Sequence, residues 1–328
     1  VADGTVTGGI VAVAGEALVD LVPAPVGGYL EIAPGGSAAN TALGLARLDV
    51  PTRMLARIAD DPMGRRIRAH LAASGVGLDH VVDAAEPTSL ALVTLDEDAV
   101  PTYDFRVDGT ADWQWTGAEL AHALDPAPAG PVLALHSSCL ALTTPPGAEH
   151  LRALMARAAA TATVSYDPNC RPTLMGRAED VRPGVDELLE VADIVKISAE
   201  DLEWLLPGAS PEDVLTDWAA RGPALVAVTL GADGVLAATS AGVRTRRPSV
   251  PVDVVDTVGA GDTFCAAVLA GLHRRDLLGA HRRTELRALD GPVLDALLDE
   301  AAAAAAITCS RRGADPPTAA ELAARVAR

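Results

Sequence analysis

The sequence predicts an α/β protein: a mostly parallel sheet covered by helices on both faces, with a smaller β-sheet beside it. Three observations carry this. Short β-branched runs alternate with apolar-periodic stretches of helical length over most of the chain. Repeated strand–helix units bury a parallel sheet between two helical layers. Two segments, residues 16–34 and 89–108, alternate in hairpin fashion instead, and are placed together as the small sheet. The chain has 328 residues, 49% of them apolar, enough for a large buried core.

The elements follow in order. "GGIVAVAGEALVDLVP" opens with a buried strand and then alternates towards Asp20, and "GGYLEIAPGGSAAN" is a second extended piece ending in glycines. In "AANTALGLARLDV", Ala42, Leu45, Ala46 and Leu48 recur at helical spacing. "TRMLARIAD" reads as one strand; "DPMGRRIRAHLAASGV" reads as a helix with Ile67, Leu71 and Ala72 inward and Gly75 as its stop. "TSLALVTLDEDAVPTYDFRV" is two alternating segments around an acidic, proline-containing turn, a hairpin signal. Beyond Gly130 the α/β rhythm returns: strands "PVLALHSSCLAL", "TVSYDPN", "DIVKIS" and "ALVAVTLG" separate helices "GAEHLRALMARAAATA", "VDELLEVA" and "AEDLEWLL". A hairpin, "GVLAATSAGVRTRRPSV", and a strand, "VDVV", lead into "DTVGAGDTFCAAVLAGL". The alanine-rich run from Glu300 is a tightly packed helix, alanine having the best helix propensity. The division expected is a core of residues 1–15, 35–88 and 109–328 with a β appendage of 16–34 and 89–108.

Composition excludes several classes. A net charge of −18 repels a phosphate backbone, which argues against nucleic-acid binding. Lys196 is the only lysine, so there is no "GK[ST]" phosphate loop. Phosphates here would be held by backbone N–H groups, arginine and metal. Cys139, Cys170, Cys265 and Cys309 are widely spaced and suggest neither zinc nor a disulfide framework. The N-terminal "VADGTVTGG" lacks the basic and apolar regions of a signal peptide, and no apolar run reaches the roughly 20 residues a spanning helix needs. A cytoplasmic protein with no membrane partner is expected.

The chemistry concentrates at strand ends. In "VDVVDTVGAGDTF", Gly259 and Gly261 let backbone approach a ligand closely, and the helix that follows points its N-terminus at the same space. Asp262 has two readings. One is a carboxylate that complements the helix dipole; the other is a general base beside a backbone cradle for a transferred phosphoryl group. A dinucleotide fingerprint fails, because Phe264 stands where glycine or alanine is needed. "PGGSAAN" is either a helix cap or a set of glycine N–H groups and the Asn40 amide presented to a hydroxyl-rich ligand, with Asp20 as an acceptor for neighbouring hydroxyls. "YDPNCR" adds Asp167, Asn169 and Arg171 after one strand, and "VTLGADGV" adds Thr229, Gly231 and Gly234 after another. Each turn is a weak signal alone; their convergence at strand ends points to a binding site.

With these motifs in place, the chain resembles the ribokinase-like (PfkB) sugar kinase family, most closely its fructokinase branch. The matching pieces include "GEALVDLVP", "PGGSAANTALGLARL", "RIADDPMGRRI", "FRVDGTAD", "LHSSCLAL", "YDPNCR", "VKISAEDLEWL", "VTLGADGVL", "DTVGAGDTFCAAVLAGL" and "AITCSRRGADPP". The pair "GGSAAN" and "DTVGAGD", in this order, is highly specific.

The resemblance implies a three-layer α/β/α sandwich whose small sheet is a lid over the sugar. It implies ATP-dependent phosphorylation of a sugar hydroxyl, with Mg2+ on the nucleotide and K+ as a second ion. Asp262 matches the family's base, and Val258, Gly259, Ala260 and Gly261 its anion hole. Asp20, Gly35, Gly36 and Asn40 match sugar-contacting positions, with Arg106, Asp167 and Arg171 on the substrate side. Thr229, Gly231 and Gly234 match nucleotide-loop positions. Asp256, with carbonyls near Val258, Thr308, Arg311 and Gly313, matches a monovalent-cation site. One departure stands out: where relatives carry "N-x-x-E" for water-mediated magnesium binding, this chain has Ser198-Ala199-Glu200-Asp201, leaving Glu200 and Asp201 as candidates to hold the waters of magnesium and Ser198 beside the nucleotide. "GTAD", "LHSSCLAL" and "DPNCR" favour fructose. The competing readings are a kinase for ribose, 2-keto-3-deoxygluconate or a nucleoside, and a non-catalytic sugar sensor. A homodimer through the lid is a further expectation.

Overall fold

The computed structural model describes residues 8–24, 28–95 and 101–327. The first seven residues of the N-terminal stretch and residues 96–100 of the acidic hairpin turn lie outside the described residues. Eight strands form the main sheet: β1 (Ile10–Ala14), β4 (Thr52–Leu55), β9 (Val132–Ser138), β10 (Thr163–Asp167), β11 (Ile194–Ser198), β12 (Leu225–Thr229), β13 (Val235–Thr239) and β14 (Arg244–Arg247), in the order β14-β13-β12-β11-β10-β9-β1-β4. From β4 to β12 every pairing is parallel; β13 and β14 close one edge as an antiparallel hairpin.

Side-chain alternation sends each strand's apolar residues into two cores. In β12, Leu225 and Ala227 join one core while Val226 and Val228 join the other. The first core is covered by α1 (Ser37–Arg47), α9 (Ala260–Arg274) and α11 (Gly291–Cys309). The second is covered by α4 (Ala148–Ala158), α6 (Ala178–Val191), α7 (Ala199–Leu205) and α8 (Pro211–Arg221). This is the three-layer sandwich the sequence predicted. The alanine-rich run is the second half of α11, whose small side chains allow close packing on α9.

The two hairpin-like segments meet in a four-stranded sheet, β3 (Leu30–Gly35), β2 (Leu18–Pro23), β7 (Leu90–Leu95) and β8 (Pro101–Arg106), in that order. Its centre is a parallel pairing in which Asp20 stands opposite Ala91. Strand β2 follows β1 after three residues, and β3 runs directly into α1, so the small sheet is anchored at the mouth of the main one.

Three readings need correction. "TRMLARIAD" breaks at Ala56: β4 stays in the main sheet, and β5 (Arg57–Ala59) pairs with β6 (Val82–Ala84) in a separate ribbon. "LHSSCLAL" is strand only to Ser138, after which α3 (Cys139–Thr143) begins. "VDVV" is no strand. Its β-branched residues suit one, but residues 252–255 pair with no strand, and β14 remains the edge strand. Val254 and Val255 are exposed, and the N–H groups of Val255 and Asp256 donate to Cys309 O at the end of α11. The GAGD turn therefore leaves a loop held by a helix end.

Candidate active site

The turn that opens α9 is built around Gly259, which sits at φ 76, ψ 0 in the left-handed region. No side chain caps this helix. The N–H groups of Gly261 and Asp262, in its first turn, precede the intrahelical ladder and face outward with the positive end of the helix dipole. The loop before it is braced by Asp256, which accepts Val258 N–H at 3.0 Å and Gly313 N–H at 2.8 Å.

Asp262 is buried at the start of α9. Its Oδ1 accepts Ser37 Oγ at 2.7 Å and its Oδ2 accepts Asn40 Nδ2 at 2.9 Å. Both donors lie in the first turn of α1, so "GGSAAN" and "GAGD" meet across the structure. Burial raises the proton affinity of Asp262. Ser37, Asn40 and the charge of Lys196 oppose that rise, and the charge of Asp167 adds to it.

The glycines before α1 have a steric reason. A Cβ on Gly35 would fall 2.2 Å from Asp20 Oδ2, and one on Gly36, at φ 101, would fall 2.6 Å from Glu16 O. Asp20 is half-buried; burial pushes its carboxyl up to about 6, Arg171 opposes this, and Asp262 and Asp256 reinforce it. Asp20, Gly35, Gly36, Asn40 and Asp262 thus gather at one place, with the Arg171 guanidinium acting on Asp20 from the loop after β10.

Glu16 is a member of this cluster that sequence reading missed. It is buried; its Oε1 accepts Ser37 N–H at 2.9 Å, and among the described residues its Oε2 has no partner. Burial pushes its carboxyl up to about 7, with Asp112 and Asp262 adding repulsion. A carboxyl raised in the folded state stabilises the fold fully below its ordinary value near 4.5, and that contribution is lost as pH rises through about 7. Glu16→Gln, a neutral isostere of the protonated carboxyl, is expected to match wild type at pH 4 and to exceed it at pH 8 by on the order of 3 kcal/mol. Urea unfolding at the two pH values checks this; equal differences at both would refute it.

Other expected residues fall differently. Asp167 is 1% exposed and turned inward, where Lys196 Nζ donates to its Oδ2 at 2.9 Å. Its carboxylate thus lies in the interior, engaged by Lys196. Arg106 is exposed on β8 and pairs with Asp104, so its guanidinium is engaged on the small sheet's own surface. Ser198 caps α7: its Oγ accepts Asp201 N–H at 3.0 Å and donates to Asp201 Oδ2 at 2.8 Å, while Asp201 Oδ1 accepts Cys170 N–H at 3.0 Å. Both side chains are thereby committed to the protein, while Glu200 beside them is exposed. Thr229 ends β12. Gly231 and Gly234 follow at positive φ, and a Cβ on Gly234 would strike Arg247 O at 2.1 Å. Thr308 is buried against Thr263, their hydroxyls 2.9 Å apart, while Asp256, Val258 and Gly313 are joined by hydrogen bonds; Arg311 ion-pairs with Glu321 and Asp315. Among the described residues no group of three or more His, Cys, Asp or Glu is arranged to hold a metal.

Comparison with known proteins agrees with this geometry. The family model of the pfkB carbohydrate kinases matches residues 10–321. A fructokinase of Rhizobium leguminosarum bv. trifolii is 37% identical over 270 residues, 80% of each chain. The structure of a Xylella fastidiosa fructokinase with bound ATP superposes with a TM-score of 0.87 at 27% identity, covering 97% of this chain and 98% of that one. A Vibrio cholerae fructokinase double mutant, in a form with fructose, ADP and potassium ion bound, superposes at 0.81 and 28% identity, covering 96% and 97%. With the family's two glycine turns converging on one buried aspartate, and a family match spanning nearly the whole chain, the protein belongs to the pfkB family of carbohydrate kinases and is a phosphotransferase acting on a sugar hydroxyl.

Proposed function

We propose that the protein is a fructokinase: it transfers the γ-phosphoryl group of Mg·ATP to the primary hydroxyl of D-fructose, giving fructose 6-phosphate. One observation carries the reading. Asp262 lies at the N-terminus of α9, between helix N–H groups suited to an anion and a pocket edge built from Asp20, Gly35, Gly36 and Asn40. The names of the similar proteins favour fructose and ATP.

In this mechanism Asp20 accepts hydrogen bonds from sugar hydroxyls, and Arg171 and Asn40 orient the ring. The primary hydroxyl faces Asp262. Asp262 takes its proton as the oxygen bonds to the γ-phosphorus and the bond to the β–γ bridging oxygen breaks, releasing ADP. Backbone N–H groups of Gly259 and Gly261 hold the charge on the transferring group, while that of Ala260 donates to Thr257 O at 3.2 Å and fixes the turn. The small sheet acts as a lid that excludes competing water, since β2 and β3 carry Asp20 and Gly35 over the site. Tyr29 and Leu30, exposed at the start of β3, are where a second copy would pack if the lid also forms the dimer.

Thr229, Gly231 and Gly234 form the nucleotide loop. Among the described residues no side chains are grouped as a metal cage, and the magnesium of the proposed reaction is an ion carried in on the nucleotide phosphates. Bound there, it would neutralise phosphate charge; Glu200, exposed at the start of α7, is the free carboxylate placed to hold its waters. For potassium, Asp256 organises the loop, and the carbonyls near Val258, Thr308, Arg311 and Gly313 are the donors. No helix among the described residues is long and apolar enough to cross a membrane, and a cytoplasmic location is proposed with the activity.

The test is ADP release with Mg·ATP against fructose, ribose, 2-keto-3-deoxygluconate, a phosphorylated sugar and nucleosides. Strongest turnover on fructose supports the assignment; a better panel member replaces the substrate. No turnover with any, while sugar still raises the melting temperature, favours the sensor. Asp20→Asn is expected to raise KM for the sugar by about 5–150-fold, a loss of about 1–3 kcal/mol of hydrogen bonding in all, with kcat little changed. A fall in kcat at constant KM would place Asp20 elsewhere in the mechanism.

A further inference from the structure

Lys196 stands in the middle of the sheet, where a charge is costly. It is buried on β11, on the face packed by α9, with Ile194 two residues away in the apolar core. Its ammonium donates to Asp167 Oδ2, and Cys265 of α9 directs its Sγ at the same oxygen from 3.7 Å. A Cβ on Gly261 would fall 2.8 Å from Lys196 Nζ. The ammonium therefore lies directly against the second glycine of the GAGD turn. Every other cationic side chain in this protein is an arginine. Here a compact ammonium, rather than the wider planar fork of a guanidinium, stands between Gly261 and Asp167. Buried ion pairs seldom outdo apolar residues of the same volume in stability, so stability alone is a weak reason for this one.

We propose that Lys196, held by Asp167, is a positioning residue for phosphoryl transfer: its ammonium lies behind the Gly259–Gly261 turn and adds fixed positive charge to the backbone N–H groups that receive the transferring phosphoryl group. The inference rests on the reading of Asp262 and the glycine turn as the catalytic centre. Asp167 fixes the ammonium from the sheet side, and the missing Cβ of Gly261 lets it approach. The same charge acts on Asp262. Around that carboxylate stand Ser37 and Asn40 from α1 as donors, Glu16 and Asp20 from before and within β2 as repelling charges, Asp167 from β10 as another, the Cys265 thiol from α9, and Lys196 as the attracting cation.

Lys196→Met and the double variant Lys196→Met/Asp167→Asn test this in the full chain, with the best sugar of the panel. Lys196→Met is expected to lower kcat about 100-fold with KM for the sugar within about threefold, as for removal of one anion-hole donor. Loss of the cation also makes Asp262 easier to protonate, so the acid limb of kcat/KM moves to higher pH. The double variant removes a repelling charge as well; its limb returns towards wild type while kcat stays low. It also leaves no unpaired buried charge, so it keeps the test usable if the single variant folds poorly. A double variant with kcat within threefold of wild type overturns the proposal. So does an unmoved limb in Lys196→Met accompanied only by a lower melting temperature, which is the behaviour of a purely structural pair. A wild-type profile with no acid limb, together with full turnover of Asp262→Asn, would instead remove the underlying reading of Asp262.

Discussion

Asp262→Asn is expected to lower kcat by about 10²–10⁴-fold, the range for loss of a positioned general base, and to leave KM for the sugar within a few-fold. The substitution keeps size and shape. Ser37 Oγ can still donate to the remaining side-chain oxygen. Asn40 Nδ2 would then face an amide nitrogen where it now meets Oδ2, and turning the Asn40 amide over restores an acceptor. Folding is therefore expected to survive, and a melting curve near that of wild type is part of the prediction. The wild-type rate should fall on the acid side as Asp262 takes up a proton. Because burial raises its proton affinity, that limb should lie above the ordinary carboxylate range, and it should vanish from the residual activity of the variant. Turnover above a tenth of wild type at the pH optimum would sink the assignment.

The structure shows how a buried carboxylate is kept usable as a base. Burial alone would hold Asp262 protonated, and a protonated carboxyl accepts no proton. Two donors from the first turn of α1 and the Lys196 cation work against that. Glu16 and Asp20 push the other way. The balance depends on α1, α9 and β11 keeping their mutual positions, which the core between α1 and α9 provides. The three-layer packing thus bears directly on the base, setting which charges it meets as well as holding it in place.

The layers were legible because strand and helix differ in the period of their apolar residues, and two-sided burial leaves unbroken runs such as "IVAVA" and "LVAVT". The small sheet was legible as broken rhythm. What failed was membership: "VDVV" has the composition of a strand, but the N–H groups of Val255 and Asp256 go to Cys309 O at the end of α11, and "TRMLARIAD" has that of one strand but serves two sheets. At the site, Asp262, Asn40 and the glycines of both turns were visible because their spacing is local. Lys196 was noticed only as the lone lysine; that its ammonium would meet Asp167 and Gly261 depends on strand order β10-β11 and on the helix above, which no local pattern encodes. Ser37 and Glu16 were hidden for the same reason. A serine after two glycines reads as a cap, and its partners lie 225 and 21 residues away. Asp167 and Arg106 were picked out by their motifs, and the partners that engage them, Lys196 and Asp104, were not foreseen.

Gly259→Ala is the second substitution expected to have a large effect, and it separates the turn's shape from its chemistry. Gly259 lies at φ 76, where an L-residue is strained by about 1–2 kcal/mol. Its new Cβ would also meet Ala314 Cβ at 2.6 Å and Ala314 Cα at 3.0 Å. The neighbouring Gly313 donates to Asp256, which in turn holds Val258. Relief of the clash must therefore move the loop that aims the N–H groups of the turn. A loss of about 10–100-fold in kcat is expected, with an intact but less stable fold. Gly208→Ala is the control, since Gly208 shares φ 76 but has nothing within 4 Å of a new Cβ. It carries the strain without the clash and should change kcat far less. Removing the obstacle with Ala314→Gly in the Gly259→Ala background should recover part of the lost rate. If Gly259→Ala turns over normally, the positions of those N–H groups do not limit the reaction, and the glycine is there for folding alone.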